Sequence, residues 1–205
     1  MRKTREEAEK TRNEILNTAT DMFIERGFTN TSLTEIARAI GVTKGAIYWH
    51  FRNKEDILKQ IAKRACDITV QRAINSLVDP LSDETLYSFY NKMLTRPLDE
   101  EHYAKLYALV SRNHDWPEEL RRDIFEMMNE ALEMERKIVG SYITRTQEAG
   151  VIRQDVEAEK VATVITSVFS GLRMLQTKNM LPEGFLKYDK LLFDSFKQTL
   201  SSIKL

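Results

Sequence analysis

Helix-breaking residues are sparse in this chain, and they fall at widely separated points. Its 205 residues include seven glycines and four prolines, so long stretches contain nothing that would interrupt a helix. Within those stretches apolar side chains recur three and four positions apart, the spacing that places them on one face of an α-helix. No stretch has the alternating pattern of a half-buried strand. The sequence therefore predicts an all-α fold.

The breaks divide the chain into nine expected helices. Ser32 and Glu35 have the spacing of a capping box at the start of the second helix, and Thr43 and Asn53 are suitable N-caps for the third and fourth. The seventh helix would be about 50 Å long at 1.5 Å per residue. The expected helices cover residues 5–26, 32–40, 43–50, 53–78, 83–95, 100–114, 117–149, 157–178 and 185–203.

The composition is that of a globular protein without a disulfide framework. Hydrophobic residues make up 42% of the chain and charged residues 30%, which lies outside the range typical of disordered chains. Residues 1–7 lack an apolar signal region, and the longest uncharged run, 161–172, is too short to cross a bilayer. With a single cysteine, Cys66, no intramolecular disulfide can form. We therefore expect a cytoplasmic protein.

The net charge of zero conceals an uneven distribution along the chain. Residues 1–64 hold 13 lysines and arginines against 9 acidic residues, whereas the remainder holds 18 against 22. A basic first part favours an anionic partner for that part of the chain. A difference of this size is also common on solvated surfaces, so it supports other signals and does not stand alone.

Two short expected helices meet at Gly41. Glycine can adopt the left-handed conformation that a tight turn between two helices requires. Ala37 is small enough to let the two helices approach closely, and Ile36, Val42 and Ile47 supply a shared apolar centre. This spacing predicts a helix-turn-helix.

The outward face of the second short helix combines polar donors with aromatic rings. Lys44 and the nearby Lys54 can neutralise phosphates, and Tyr48 and His50 can donate hydrogen bonds to phosphate oxygens. Gly45 leaves room for close approach to base edges in a major groove. The alternative to a DNA-binding surface is a small helical corner whose aromatic side chains simply fill a core. The helix spacing, the basic surplus and the polar-aromatic face together favour binding to duplex DNA.

This segment resembles the DNA-binding signature of the TetR family of regulators. The sequence of residues 46–51, Ala-Ile-Tyr-Trp-His-Phe, most resembles that of multidrug-efflux repressors of the AcrR and TtgR type. The resemblance covers about residues 10–60, and the remainder resembles the family only in length and helix count. It is carried by Thr34-Glu35-Ile36-Ala37, Gly41-Val42-Thr43-Lys44-Gly45-Ala46-Ile47-Tyr48-Trp49-His50-Phe51 and Lys54-Glu55.

The resemblance implies a nine-helix TetR-like fold, a homodimer, binding to a palindromic operator and release by a small effector. It also implies a DNA-binding domain at residues 1–54 and a helical effector-binding and dimerisation domain at 55–205, with Lys54 beginning the connecting helix. Control of an efflux pump is the physiology that this branch of the family suggests. The DNA contacts implied position by position are Ser32, Thr43, Lys44, Gly45, Tyr48, Trp49, His50 and Lys54.

Behind this segment, the expected helices carry inward stripes rich in methionine and aromatic residues. Methionine packs adaptably, so such an interior suits hydrophobic ligands of varied shape, and the resemblance places an effector cavity in this part of the chain. For any single residue, plain core packing is the more ordinary explanation. The expected effector-binding residues are Phe89, Met93, Tyr103, Tyr107, Val110, His114, Met127, Met128, Ala131, Val164 and Val168.

The last two expected helices carry apolar stripes suited to a two-fold interface. Ser167 and Gly171, four residues apart, permit close approach of helices. A four-helix interface would place two recognition helices on successive major grooves, roughly 34–36 Å apart. The same stripes would also serve to close the core of one chain. The expected interface residues are Ile165, Phe169, Leu172, Leu175, Leu192, Phe193, Phe196 and Leu200.

Two other classes of protein fit the sequence less well. An enzyme is disfavoured because no phosphate loop, zinc-ligand spacing, nucleophile elbow or dinucleotide fingerprint is present, and we expect no catalytic residue, metal or cofactor. A helical protein-interaction module would give the polar-aromatic face no role. Binding to heparin or bulk DNA that is lost at moderate salt would distinguish the DNA-binding protein from such a module. A transcriptional activator of the same fold stays open, because the same DNA contacts serve activation and repression.

Overall fold

The structure is a computed structural model that describes residues 5–78, 81–95, 105, 108–110, 113–177, 180–185, 191, 194–195 and 198. Every regular element in these parts is helical, which confirms the all-α prediction. Most of the expected helices 100–114 and 185–203 lies outside the described residues. The elements are α1 (Arg5–Arg26), α2 (Leu33–Ala39), α3 (Lys44–His50), α4 (Lys54–Ser76), α5 (Asp83–Thr95), a 3-10 turn (Asn113–Asp115), α6 (Glu118–Glu148) and α7 (Ala158–Thr177).

The chain forms two compact units. Unit 1 comprises Met1–Cys66 and Glu101–Met128, and unit 2 comprises Asp67–Glu100 and Asn129–Leu205. Helices α4 and α6 each contribute residues to both units. The domain boundary expected at residue 54 stays a prediction. Among the described helices, none combines the length and the apolar character needed to cross a membrane.

Unit 1 is built around apolar side chains from α1, from the short helices α2 and α3, and from the start of α6. Ile15 of α1, Ile36 of α2, Ile47 of α3 and Leu120 of α6 are all buried in one core. Burial of each such side chain contributes about 1.5–3 kcal/mol. Helix α2 packs against both α1 and α3, so the core fixes the orientation of the two short helices.

Unit 2 has a separate core in which aromatic side chains connect α5, α6 and α7. The rings of Tyr90 and Phe169 are stacked, with centroids 4.2 Å apart and planes inclined by 16°. The hydroxyl of Tyr142 donates to the Ser82 carbonyl at 2.8 Å and accepts from the Ser82 amide at 2.8 Å. The Ser82 hydroxyl in turn accepts from the amide of Thr85 at 3.1 Å and so caps α5. Tyr142 therefore ties the start of α5 to the middle of α6.

Candidate nucleic-acid interface

Helix α2 begins with the capping box that the sequence predicts. The Ser32 hydroxyl accepts from the Glu35 amide at 3.3 Å, and the Ser32 amide donates to the Glu35 carboxylate at 2.9 Å. The hydroxyl also donates to that carboxylate at 2.6 Å, and this hydrogen bond is the largest of the effects that lower the pKa of Glu35. A phosphate contact by the Ser32 hydroxyl proton would have to replace its hydrogen bond to Glu35.

The turn between α2 and α3 depends on Gly41, as predicted. Its φ of +69° lies in the left-handed region that favours glycine. The Gly41 amide donates to the Arg38 carbonyl at 3.2 Å, and the Val42 amide donates to the Ala37 carbonyl at 2.9 Å. These bonds satisfy carbonyls that the end of α2 would otherwise leave without partners. The turn therefore sends the chain directly into α3.

Ile47 determines which face of α3 points outward. The Thr43 hydroxyl accepts from the Ala46 amide at 3.2 Å and starts the helix, and Ile47 is fully buried in the core of unit 1. With 3.6 residues per turn, the next two side chains must then turn away from the core. Tyr48 is accordingly 51% exposed and Trp49 73% exposed.

We call the exposed residues of this helix and its cap the reader face, which consists of Thr43, Lys44, Gly45, Tyr48 and Trp49. The Lys44 ammonium lies 5.6 Å from the centre of the Tyr48 ring, as expected for side chains four positions apart on a helix. The reader face thus presents hydroxyl groups, a cation and two aromatic rings to solvent, whereas His50, which the sequence also placed on the outward face, is half-buried.

His50 follows the reader face and is half-buried. Its ring lies edge-on to that of Trp49, with centroids 4.6 Å apart and an interplanar angle of 87°. It also lies 6.2 Å from the ring of Phe51, which is buried in the core of unit 1. His50 therefore connects the exposed indole to the interior and limits the positions that Trp49 can adopt.

Lys54 has a structural role that sequence reasoning missed. Its ammonium donates to the carbonyls of Phe28 at 2.7 Å and Thr29 at 3.3 Å, and it lies 4.4 Å from the centre of the Phe28 ring. Lys54 thereby holds the loop between α1 and α2 against the start of α4. An ammonium has three donors, so a phosphate contact by the third stays a prediction.

Lys54→Ala is therefore expected to lower both stability and DNA affinity. The variant loses charged hydrogen bonds at a half-buried position, which we expect to cost about 1–2 kcal/mol of the free energy of unfolding. It should also reduce the salt slope of DNA binding by about one unit. Urea denaturation and salt-dependent binding titrations measure the two effects, with the exposed Lys137→Ala as the matched control. A stability equal to that of the wild type would contradict the structural role.

Asp115 connects the 3-10 turn to the same loop. Its carboxylate accepts from the Thr29 amide at 3.0 Å, and its carbonyl accepts from the Thr29 hydroxyl at 2.9 Å. Gly27 has a φ of +86°, and a Cβ added there would lie 2.7 Å from the Asp115 carboxylate oxygen. Glycine at position 27 therefore meets two separate requirements, a left-handed backbone and close approach of a side chain.

Gly41 provides a matched control for this second requirement. Its φ is also positive, but within the described part of the chain a Cβ added to it would meet no atom within 4 Å. We expect Gly41→Ala to cost about 1–2 kcal/mol through backbone strain alone and Gly27→Ala to cost more. In an Asp115→Ala background, Gly27→Ala should cost no more of the free energy of unfolding than Gly41→Ala does. Urea denaturation of all the variants measures these costs. Equal costs for the two glycine variants in the wild-type background would contradict the close approach.

The effector-binding residues expected from the sequence are distributed over both units. Two of them are exposed: His114 in the 3-10 turn and Val164, 53% exposed, on α7. The side chain of Met93 and the whole of Tyr103 and Tyr107 lie outside the described residues. The expected residues that are buried or half-buried are Phe89, Val110, Met127, Met128, Ala131 and Val168.

The expected dimer residues on α7 have different degrees of exposure. Ile165 and Phe169 are 1% and 4% exposed and belong to the core of unit 2, so their side chains are already covered within one chain. Leu172 and Leu175 are half-buried. The large apolar side chains that α7 exposes are Val164 and Met174. The expected residues outside the described part of the chain are Leu192, Phe193, Phe196 and Leu200.

A buried polar cluster in unit 2 was not anticipated from the sequence. Glu135 of α6 and Arg173 of α7 are 0% and 4% exposed, with 3.7 Å between the nearest nitrogen and oxygen. Burial is the largest of the effects on the pKa of Glu135 and raises it, against the opposing effect of Arg173. The sequence did contain a signal for the burial of Glu135, because this residue lies on the same face of its helix as Ala131 and Tyr142. Among the described residues, no three His, Cys, Asp or Glu side chains gather as metal ligands would.

Comparison with known proteins identifies the family to which the helix-turn-helix belongs. Residues 15–61 match the family model described as bacterial regulatory proteins, tetR family. The transcriptional regulator AcrR of Shigella flexneri is 30% identical over 175 residues, which make up 83% of this chain and 80% of that protein. TtgR of Pseudomonas putida is 46% identical over 61 residues, 30% of this chain and 29% of that protein.

Solved structures show the same fold over nearly the whole length. NalD of Pseudomonas aeruginosa superposes with a TM-score of 0.74 and 24% identity, covering 96% of this chain and 98% of that one. SmeT in complex with triclosan superposes with a TM-score of 0.75 and 23% identity, covering 92% and 90%. Because the likeness to AcrR extends far beyond the helix-turn-helix, the chain belongs to the TetR family of bacterial regulatory proteins.

Proposed function

We propose that this chain is a transcriptional repressor that binds a palindromic DNA operator as a homodimer and is released by a hydrophobic small-molecule effector. The reader face is the observation that carries the proposal. Tyr48 and Trp49 are 51% and 73% exposed beside Lys44, an arrangement that contributes nothing to the core of unit 1. Such side chains suit phosphates and base edges in a major groove. A cytoplasmic location belongs to the proposal, because an operator is reached there.

The relatives suggest what the operator controls. NalD is described as the secondary repressor of the MexAB-OprM multidrug efflux pump, and another relative as a probable repressor of the acrEF/envCD operon. We extend this role to the present chain and propose that it represses an efflux operon. An activator would use the same DNA contacts, so the position of the operator relative to the promoter separates the two modes.

The proposed homodimer would use α7 together with residues 185–203. Val164 and Met174 expose apolar surface on α7, and Leu172 and Leu175 of the same helix are half-buried. A Cβ added to Gly171 would meet no atom of the described residues within 4 Å, which suits close approach of a partner helix. Light scattering at micromolar concentration should give the mass of two chains. A monomer that still binds a palindromic site tightly would contradict the dimer.

Selection from a pool of random duplex DNA tests the proposed DNA binding. We expect the recovered sites to be palindromes with half-sites one helical turn apart. Fluorescence anisotropy should show two chains for each site and an affinity that falls steeply as salt increases. Recovery of unrelated sequences, bound equally well, would contradict the proposal of an operator-binding repressor.

Effector release is expected to be reciprocal with operator binding. A ligand that prefers the released conformation by about 2.7 kcal/mol shifts the equilibrium a hundredfold, and saturating operator must weaken ligand binding by the same factor. A panel of hydrophobic drugs, dyes and bile acids should contain such ligands, and calorimetry with and without operator measures the factor. We expect Tyr107→Ala to abolish the response while leaving DNA binding intact. A ligand bound equally tightly in both conditions cannot be an effector.

A further inference from the structure

We propose that the buried cluster of Tyr90, Glu135, Thr166 and Arg173 is the polar end of the effector site. It would accept a neutral hydrogen-bond donor, such as a phenol or an alcohol, at the end of a hydrophobic ligand. This inference rests on the proposed function and specifies the chemical class of its effector. All four residues belong to unit 2, where they come from the three facing helices α5, α6 and α7.

The carboxylate of Glu135 carries the inference. It is fully buried, and neither of its oxygens accepts a hydrogen bond from any group in the described part of the chain. The nearest nitrogen of Arg173 lies 3.7 Å away, which is ion-pair distance and exceeds that of a hydrogen bond. Buried polar atoms are almost always hydrogen-bonded because their desolvation is otherwise uncompensated. A ligand that brings a donor to Glu135 would therefore gain a strong hydrogen bond.

The charge of the cluster selects a neutral donor. Arg173, 4% exposed, already places a positive charge beside the Glu135 carboxylate. A cationic ligand group would be repelled by Arg173, and an anionic group would be repelled by Glu135, in surroundings where charges are weakly screened. A neutral hydroxyl can donate to the carboxylate without adding a third charge.

The surroundings of the cluster suit an aromatic ligand body. Tyr90 is stacked on Phe169 with centroids 4.2 Å apart and lies 4.8 Å from the ring of Phe89. The Tyr90 hydroxyl lies 3.3 Å from that of Thr166, and either can donate, so the pair can adjust to a polar group on the ligand. Apolar walls with a small number of converging polar groups are typical of ligand sites between packed helices.

The same burial links ligand binding to a conformational change. Because Glu135 is fully buried in unit 2, a ligand of this kind would bind a conformer in which α5, α6 and α7 have separated. Such a ligand therefore has different affinities for the closed and separated conformers, the condition that any effector must meet.

Three biphenyls of similar bulk test the inference by calorimetry. They are 2-hydroxybiphenyl, its methyl ether and biphenylmethylammonium. We expect the wild-type chain to bind the phenol at least tenfold more tightly than either of the others. Glu135→Gln should reduce this preference to less than twofold, because the amide brings its own donors in place of the negative charge. Glu130→Gln, at an exposed position on the same helix, should leave it unchanged.

The outcomes separate this inference from the proposed function. If all three probes release operator with no preference for the phenol, the proposed repressor function is supported and the proposed polar site is overturned. Preference for the ammonium, or a phenol preference that survives Glu135→Gln, would also overturn it. If no hydrophobic probe from the wider panel releases operator, the proposed function itself fails. Should Glu135→Gln not fold, Tyr90→Phe removes one hydroxyl of the cluster, and an unchanged phenol preference there overturns the inference.

Discussion

Replacing Lys44 and Tyr48 together by alanine is expected to weaken operator binding by about two orders of magnitude while leaving the melting temperature unchanged. A contact of this kind contributes about 1–3 kcal/mol, and each 1.4 kcal/mol corresponds to a factor of ten in affinity. Both side chains are exposed on α3. The core is maintained by the buried Ile47 on the opposite face, so the fold does not depend on either of them.

The single variants should differ in their dependence on salt. Lys44→Ala removes a cation and should lower the salt slope of binding by about one unit, whereas Tyr48→Ala removes a neutral group and should leave the slope unchanged. Lys137→Ala, at an exposed position in unit 2, should change neither affinity nor slope. Anisotropy titrations at several salt concentrations measure all three. Operator binding as tight as that of the wild type in the double variant would rule out the reader face as the DNA contact.

The parts of the fold set by neighbouring residues could be predicted from the sequence. Helix α1 ends at Arg26, as expected, because Gly27 follows it with a positive φ. The capping box of α2 and the turn at Gly41 are also local signals, within a few residues of the structure that they determine. The exposure of Tyr48 and Trp49 follows from helical periodicity once Ile47 is assigned to the core.

Contacts between residues far apart in sequence could not be predicted in the same way. Lys54 contacts the loop at Phe28, and Asp115 binds Thr29 across 86 positions, and neither pairing leaves a pattern in one sequence. For α7 the apolar stripe indicates burial without identifying the partner surface. Ile165 and Phe169 accordingly lie in the core of their own unit, although the stripe suits a dimer interface equally well.

Replacing Glu135 by leucine is expected to destabilise the protein by about 3–5 kcal/mol. The substitution removes the carboxylate that forms an ion pair with Arg173, whose charge is buried at 4% exposure, and breaking a buried ion pair by removing one partner costs about 3–5 kcal/mol. Removal of both charges, in Glu135→Leu combined with Arg173→Met, should recover most of the loss, because well-packed apolar side chains can replace a buried ion pair at little or no cost. Urea denaturation of the two single variants and the double variant measures the coupling between them. Additive losses would show that the two charges do not interact.

The pH dependence of stability provides a separate test of the same carboxyl. Burial raises the pKa of Glu135 above its ordinary value of 4.5. Between that value and the raised pKa, the folded chain binds more protons at Glu135 than the unfolded chain does. The contribution of this group to stability is therefore complete below pH 4.5 and is lost as the pH rises through the raised pKa. Glu135→Gln does not titrate, so its free energy of unfolding should increase relative to that of the wild type as pH rises from 4.5 towards neutrality. Urea denaturation at a series of pH values gives this difference, and a difference that decreases with rising pH would mean that Arg173 outweighs the effect of burial.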